Sequence, residues 1–300
     1  MRVLITGATG LIGSEIVKQC HEKGIDVNYL TTCRSKIENK DNYQGFYWHP
    51  GKAEIDTNCI KDVDAIIHLV GASISSRWTK EHKQAILNSR LETTALLHDT
   101  VKNNSNNIIQ IISASAIGYY PSSLTKYYSE DEKEVNTSFL GQVVEAWEHV
   151  VDTFSTLNIT VSKVRIGIVF SKKGGAFPEL SKPIKYGVGA AIGTGKQWMS
   201  WIHLEDLAAV FTHILEHKLE GVYNGVSPNP STNKTIIKAI AKKINMPLIL
   251  PNIPKFAMKL ALGEMHIILF ESQRVSSKKI EDSGFSFRYN NLDAALEDLV

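Results

Sequence analysis

Cysteine is scarce: Cys20, Cys33 and Cys59 are the only three in 300 residues, with no metal-ligand spacing among them. Three thiols cannot all pair, which fits a reducing compartment, and a cysteine-type zinc site is not expected. Long apolar runs are missing too; none approaches the ~20 residues that a bilayer-spanning helix needs. Charge of one sign is absent, since 33 Lys and Arg against 31 Asp and Glu leave a net +2. That balance indicates neither a polyanion-binding surface nor an acidic tail. No signal peptide precedes the first apolar segment, and no repeat or low-complexity tract is visible. The expectation is a soluble cytoplasmic protein with no nucleic-acid and no membrane partner. Its 43 % hydrophobic content is enough for a large core and a smaller lobe.

What is present begins at once. The apolar run Val3-Leu4-Ile5 leads into Gly7-Ala8-Thr9-Gly10-Leu11-Ile12-Gly13, and Ile12, Ile16, Val17 and Cys20 then recur at helical spacing. This pattern predicts a strand, a tight glycine turn and a helix start. Gly7 would adopt backbone angles closed to other residues, Gly10 would admit a ligand without a Cβ in the way, and Gly13 would let helix and strand pack closely. Free N–H groups at the helix start suit a pyrophosphate, so Gly7, Thr9, Gly10, Leu11, Ile12 and Gly13 are read as dinucleotide-binding. The spacing GxxGxxG, written TGATGLIG here, resembles the extended short-chain dehydrogenase/reductase superfamily.

Strand-like and helix-like segments alternate through the first two thirds of the chain. Strands are predicted at Arg2–Thr6, Asp26–Thr32, Gly45–Trp48, Ala65–Leu69, Ile108–Ser113 and Thr160–Arg165. Helices are predicted at Leu11–Lys23, Thr79–Lys102, Phe139–Leu157 and Leu204–Glu216. The fold class expected is α/β: a doubly wound parallel-sheet Rossmann fold with a smaller C-terminal substrate lobe. The nucleotide domain is expected at residues 1–166 plus about 200–222, and the lobe at 167–199 and 223–300. In the lobe, glycines and prolines punctuate short helices such as Lys234–Ile244 and Lys255–Leu262.

The second strand ends in Arg34, with Lys36 nearby, where an acid would hydrogen-bond the ribose of NAD. A guanidinium suits a 2′-phosphate instead, so NADP(H) is favoured and NAD(H) left open. Leu69, Val70 and Gly71, after the fourth strand, are read as bordering the cofactor, and His68 as a packed core residue. Arg90, on the long helix that follows, is read either as meeting a phosphate or as pairing with a helix neighbour.

The fifth strand runs into Ser113-Ala114-Ser115-Ala116-Ile117-Gly118-Tyr119-Tyr120. Further runs accompany it: Ala146-Trp147-Glu148, Arg165 to Phe170, Gly193 to His203, Leu262-Gly263-Glu264-Met265 and Glu271 to Val275. Together these resemble the atypical, epimerase-family branch of the extended short-chain dehydrogenases/reductases, a group named for nucleoside-diphosphate-sugar epimerases. The resemblance implies Ser115 as the catalytic hydroxyl, Tyr119 as its companion and Ser113 beside the cofactor. It also implies an NAD(P)-dependent epimerase or oxidoreductase with a small substrate, a nucleotide sugar among the candidates; a homodimer is left open. One departure is plain. The superfamily's Tyr-x-x-x-Lys pair would fall near Leu140 and Val144, neither of which can carry a proton. Tyr119, Tyr120 and Glu145 are the substitutes the sequence offers. A nucleotide-binding regulatory or scaffold protein that has lost its chemistry is the competing reading. Lys185, Lys196 and Arg274 could meet a diphosphate in the lobe, or be ordinary solvated cations.

Overall fold

The computed structural model describes residues 1–300. Strands of three residues or more are β1 (Arg2–Thr6), β2 (Asp26–Thr31), β3 (Tyr43–His49), β4 (Ala65–His68), β5 (Gln110–Ala116), β6 (Thr160–Ile166), β7 (Ile168–Ser171), β8 (Trp201–His203) and β9 (Gly221–Gly225). The helices are α1 (Leu11–Glu22), α2 (Lys80–Asn103), α3 (Phe139–Asp152), α4 (Ala176–Lys185), α5 (Leu204–Glu216), α6 (Asn233–Lys243), α7 (Lys255–Leu262), α8 (Lys278–Asp282) and α9 (Leu292–Leu299). Seven of these strands run parallel in one sheet in the order β9-β6-β5-β4-β1-β2-β3, and two two-residue strands, Asn39–Lys40 and Glu54–Ile55, add to β3 antiparallel. The order reverses direction at β1, so right-handed crossovers send α1 and α2 to opposite faces. α1 packs with α5 and α2 with α3. The fold is therefore the doubly wound α/β class expected.

Local chemistry explains where the helices start. Thr79 caps α2, Ser138 caps α3, Thr232 caps α6 and Asn291 caps α9, each side chain accepting a backbone N–H. α1 differs: its cap is Gly10, which has no side chain to offer, so its first amides stay free. The two largest apolar clusters are one of 39 buried residues around the large sheet and one of 13 around Phe170, Trp201 and Ile240. β7 and β8 pair in parallel inside the second cluster's territory. Ile280 and Phe285 return from the C-terminal segment to the first.

Several boundaries depart from the sequence expectation. The fifth strand runs Gln110–Ala116 rather than Ile108–Ser113. The Asn106 carboxamide oxygen accepts the Ile108 N–H at 3.1 Å, and bonding to the neighbouring strands begins one residue later, the Ile109 N–H donating to the Asp64 carbonyl at 3.0 Å. Pairing instead continues to Ala116 opposite Ile166, so Ser115 lies within the strand and not past its end. The expected helix Phe139–Leu157 is α-helical only to Asp152; Thr153–Leu157 tighten into a 3₁₀ turn. Gly221–Gly225 supply a seventh strand that the apolar pattern did not announce.

His68 sits wholly buried at the end of β4, as a core residue should. Its Nδ1 lies 2.8 Å from Thr6 Oγ1 and its Nε2 3.1 Å from Thr94 Oγ1. Burial, helped by the nearby Arg90 cation, pushes its pKa down to about 3. The unfolded chain takes up a proton near pH 6.5 that the folded one refuses, so stability should fall as the pH drops from about 6.5. The expected slope from this residue is at most about 1.4 kcal/mol per pH unit. Urea midpoints at pH 7 and pH 5 should therefore draw closer together in His68→Gln. An unaltered gap would place the acid sensitivity elsewhere.

Candidate functional site

The glycine turn is built as its residue types require. Gly7 has φ +75°, and a Cβ on it would stand 3.4 Å from the Leu69 Cβ. The Gly10 N–H donates to the Gly7 carbonyl at 2.9 Å, closing the turn. A Cβ on Gly13 would lie 2.2 Å from that same carbonyl and 2.7 Å from Ala8 Cα, so no larger residue fits. At Gly10 the equivalent distance is 3.2 Å, tight but tolerable. Thr9 and Gly10 are exposed, Leu11 and Ile12 half-buried. Leu11 also meets the chain after β7: its Cδ2 lies 3.4 Å from where a Gly174 Cβ would be.

Leu69 and Val70 flank Gly7, and Gly71 follows. The Arg90 guanidinium fills the space beside Gly71, its carbon 2.7 Å from the position of a Cβ there. Arg90 Nη1 donates to the Ile86 carbonyl at 2.8 Å, and the guanidinium lies 5.0 Å from the Trp147 ring centre. It makes no ion pair, so the reading that paired it with a helix neighbour is set aside. Burial alone lowers its pKa to about 10. An oriented cation without a counterion is suited to an incoming anion.

Arg34 stands apart from that group, exposed at the exit of β2. Its guanidinium stacks 3.8 Å over the Tyr47 ring and makes no ion pair. The nearest acid along the chain, Glu38, is engaged by Lys40 at 2.6 Å. From β2 across β1 and β4 to β5 is three strand spacings, or about 14 Å, the reach of an extended dinucleotide.

Ser113 and Ser115 lie on β5, with His68 opposite Ser113. The Ser113 hydroxyl donates to the Ala114 carbonyl at 2.9 Å. Ser115 Oγ donates to Glu148 Oε1 at 2.6 Å, and Glu148 is clasped by Arg165 through Nε at 2.8 Å and Nη2 at 2.9 Å. Arg165 Nη1 reaches the Tyr120 hydroxyl at 3.1 Å, which donates onward to Asn224 at 2.7 Å. Tyr120 is thus a buried packing residue, its phenol pushed up to about 12 by burial. Tyr119 is half-buried, stacked 3.4 Å under Arg165, and its hydroxyl has no protein partner. It borders a cleft of about 300 Å³ shared with Glu130, Glu145, His149 and Lys163. Leu140 and Val144 are apolar and packed, Leu140 in a cluster with Trp78, Ile86 and Val143. His203 caps α5, its Nδ1 accepting the Glu205 N–H at 3.3 Å, the positioning role expected of it.

Three functional candidates escaped the sequence. Glu148 and Arg165 carried a signal: charges at alternate positions of a buried strand, Lys163 and Arg165, face acids one turn apart on a helix, Glu148 and Asp152. Glu271 had none beyond its place in a matching run. Its Oε2 accepts from Asn136 Nδ2 at 3.3 Å and Gln273 Nε2 at 2.9 Å, while Oε1 has no protein partner. Asn136 also donates its backbone N–H to the Tyr119 carbonyl at 2.7 Å, and it stands one turn before Leu140. No cation lies within ion-pair distance, and burial raises the Glu271 pKa above the usual carboxylate range.

Comparison with known proteins agrees with this geometry. Residues 3–225 match the NAD dependent epimerase/dehydratase family, and residues 253–299 match a domain of unknown function, DUF1731. An epimerase family protein of Staphylococcus saprophyticus is 35 % identical over 99 % of this chain and 98 % of its own. One from Staphylococcus aureus is 33 % identical over the same shares. Among solved structures, the human epimerase family protein SDR39U1 with NADPH superposes with a TM-score of 0.86 at 27 % identity, covering 100 % of this chain and 99 % of that one. A nucleoside-diphosphate sugar epimerase from Corynebacterium glutamicum gives 0.78 at 28 %, covering 99 % of this chain and 57 % of that one.

Proposed function

Because this chain belongs to the NAD dependent epimerase/dehydratase family, we propose that it is an NADP(H)-dependent oxidoreductase or epimerase acting on a small substrate, a nucleotide sugar among the candidates. The observation that carries the reading is the unpaired Arg34, held on Tyr47 at the strand end where an NAD-binding site would present an acid. Gly7, Thr9, Gly10, Leu11, Ile12 and Gly13 would hold the pyrophosphate on the free amides of α1. Leu69, Val70, Gly71 and Ser113 would border the ribose and nicotinamide, with Arg90 as the second cation. When bound, the cofactor supplies or takes a hydride. The lobe, residues 167–199 and 223–300, would close the substrate side.

Proton handling falls to this chain's own groups. Ser115 and Tyr119 are proposed at the reacting end, with different parts to play. The Ser115 proton is committed to Glu148, so Ser115 would act by accepting or positioning, while the unpartnered Tyr119 hydroxyl can exchange a proton. Glu271 joins them as an oriented carboxyl with a free oxygen and a raised pKa. A second reading, a nucleotide-responsive regulator without turnover, is favoured by one observation only: Val144 is buried and Leu140 half-buried in apolar surroundings.

Cofactor choice tests the proposal directly. NADPH should bind more tightly than NADH, and Arg34→Ala should narrow the gap. A charged hydrogen bond contributes about 1.5–3 kcal/mol, so roughly ten- to hundredfold is expected. Calorimetric titration of both nucleotides decides it; equal affinities in the parent protein would remove the case for NADP(H).

A further inference from the structure

The lobe has a charge and polarity distribution that the chain average conceals. Residues 180–204 and 221–263 contain nine lysines and no aspartate or glutamate. Only Lys243 among them is ion-paired, to Glu297. The same segments carry the protein's most exposed apolar side chains. Leu260 is 84 % exposed, Ile249 75 %, Phe256 74 % and Tyr186 73 %, with Val188 and Leu250 also exposed.

One seam brings part of this set together. Ile192 bridges Ile253 in parallel, with Gly193 donating to the Ile253 carbonyl and Ile253 to the Ala191 carbonyl, both at 2.8 Å. The chain after Val188 therefore lies beside the chain after Leu250. α7 projects from this seam and buries none of its own residues. Phe256 and Leu260 stand four apart on it, as do Lys255 and Lys259, so an apolar stripe runs beside a cationic one.

We propose that this end of the lobe docks on the anionic surface of a phospholipid bilayer, with Phe256 and Leu260 entering the headgroup boundary and the lysines meeting the phosphates. No helix is long and apolar enough to cross a membrane; the contact is peripheral. Two other occupants fit less well. A second copy would bring the Lys255 and Lys259 stripe of one α7 against that of the other, which like-charge repulsion opposes. Protein interfaces favour arginine and are depleted in lysine, yet no arginine occurs between Arg165 and Arg274. Flexible point charges flanking exposed aliphatic and aromatic side chains are what a lipid surface selects.

The test is co-sedimentation of the full chain with vesicles of phosphatidylcholine containing phosphatidylglycerol, beside vesicles of phosphatidylcholine alone. Binding to the anionic vesicles only, weakened by salt, is expected. Lys255→Gln with Lys259→Gln should lower partitioning roughly thirtyfold, and Phe256→Ser with Leu260→Ser should abolish it. NADPH titration of each variant should match the parent, showing that the fold persists. Absent binding, equal binding to both vesicle types, or indifference to the substitutions overturns the proposal. So does a concentration-dependent dimer that Phe256→Ser with Leu260→Ser dissolves, since a second copy would then cover the face.

Discussion

Gly10→Val should lower NADPH affinity at least about a hundredfold in a protein that still folds, whereas Gly13→Ala should damage the fold itself. The contrast follows from two distances. An added Cβ at Gly10 sits 3.2 Å from the Gly7 carbonyl, which a small adjustment relieves, and the Gly10 backbone has an ordinary φ of −83°. The remaining valine carbons then occupy the space in front of the free α1 amides. Each charge-assisted hydrogen bond lost there is worth about 1.5–3 kcal/mol. At Gly13 the added carbon stands 2.2 Å from backbone, inside the turn, where neither chain can yield. Circular dichroism with urea unfolding, followed by NADPH titration, separates the two effects. A folded Gly10→Val variant with parental affinity would reduce the turn to a structural feature.

That turn was legible because each of its requirements is local. A positive φ at Gly7, a close approach at Gly10 and a carbonyl contact at Gly13 all arise within seven residues, and sequence spacing encodes them directly. Arg34 was legible for the same reason, standing at the end of a strand whose periodicity announces it. Arg90 was half legible: its place on α2 was read correctly, but its contact with Gly71 and its lack of an acid depend on how β4 and α2 dock. The Ser115 network was less accessible still. Glu148 and Arg165 are 17 residues apart on different elements, and only the β5–β6 register brings Ser115 opposite Arg165. β9 was missed because Gly221–Gly225 contains two glycines and no apolar alternation; parallel pairing with β6 supplies what propensity does not. Glu271 is 135 residues from Asn136, the partner that orients it. No pattern in one chain marks such a pair.

Turnover is where the largest kinetic effect should appear. If Leu140 and Val144 occupy the places of the superfamily's proton-transfer pair, NADPH oxidation against carbonyl and nucleotide-sugar substrates should be slow. General acid–base catalysis is worth about 10²–10⁴-fold, and whatever activity remains must draw its proton from a nearby group. Glu271 is the carboxyl the fold orients there, so Glu271→Gln should remove most of that residual factor while leaving NADPH affinity unchanged. Its pKa is raised, chiefly by burial. As a general acid it is active while protonated, so the parent rate should fall as pH climbs through that raised value. The glutamine variant should show a flat profile over the same window. Tyr119→Phe is the control for the phenol and should cost less than Glu271→Gln. Ser115→Ala should lower the rate with little cost to stability, because it removes the hydroxyl proposed at the reacting end while Arg165 still holds Glu148 by two bonds. The decisive comparison is the pH profile of the three variants beside the parent. Fast parental turnover that none of them alters would put the chemistry on other residues, whereas absent turnover with tight NADPH binding would favour the regulator. A profile that keeps its slope in Glu271→Gln but loses it in Tyr119→Phe would return the proton to the tyrosine.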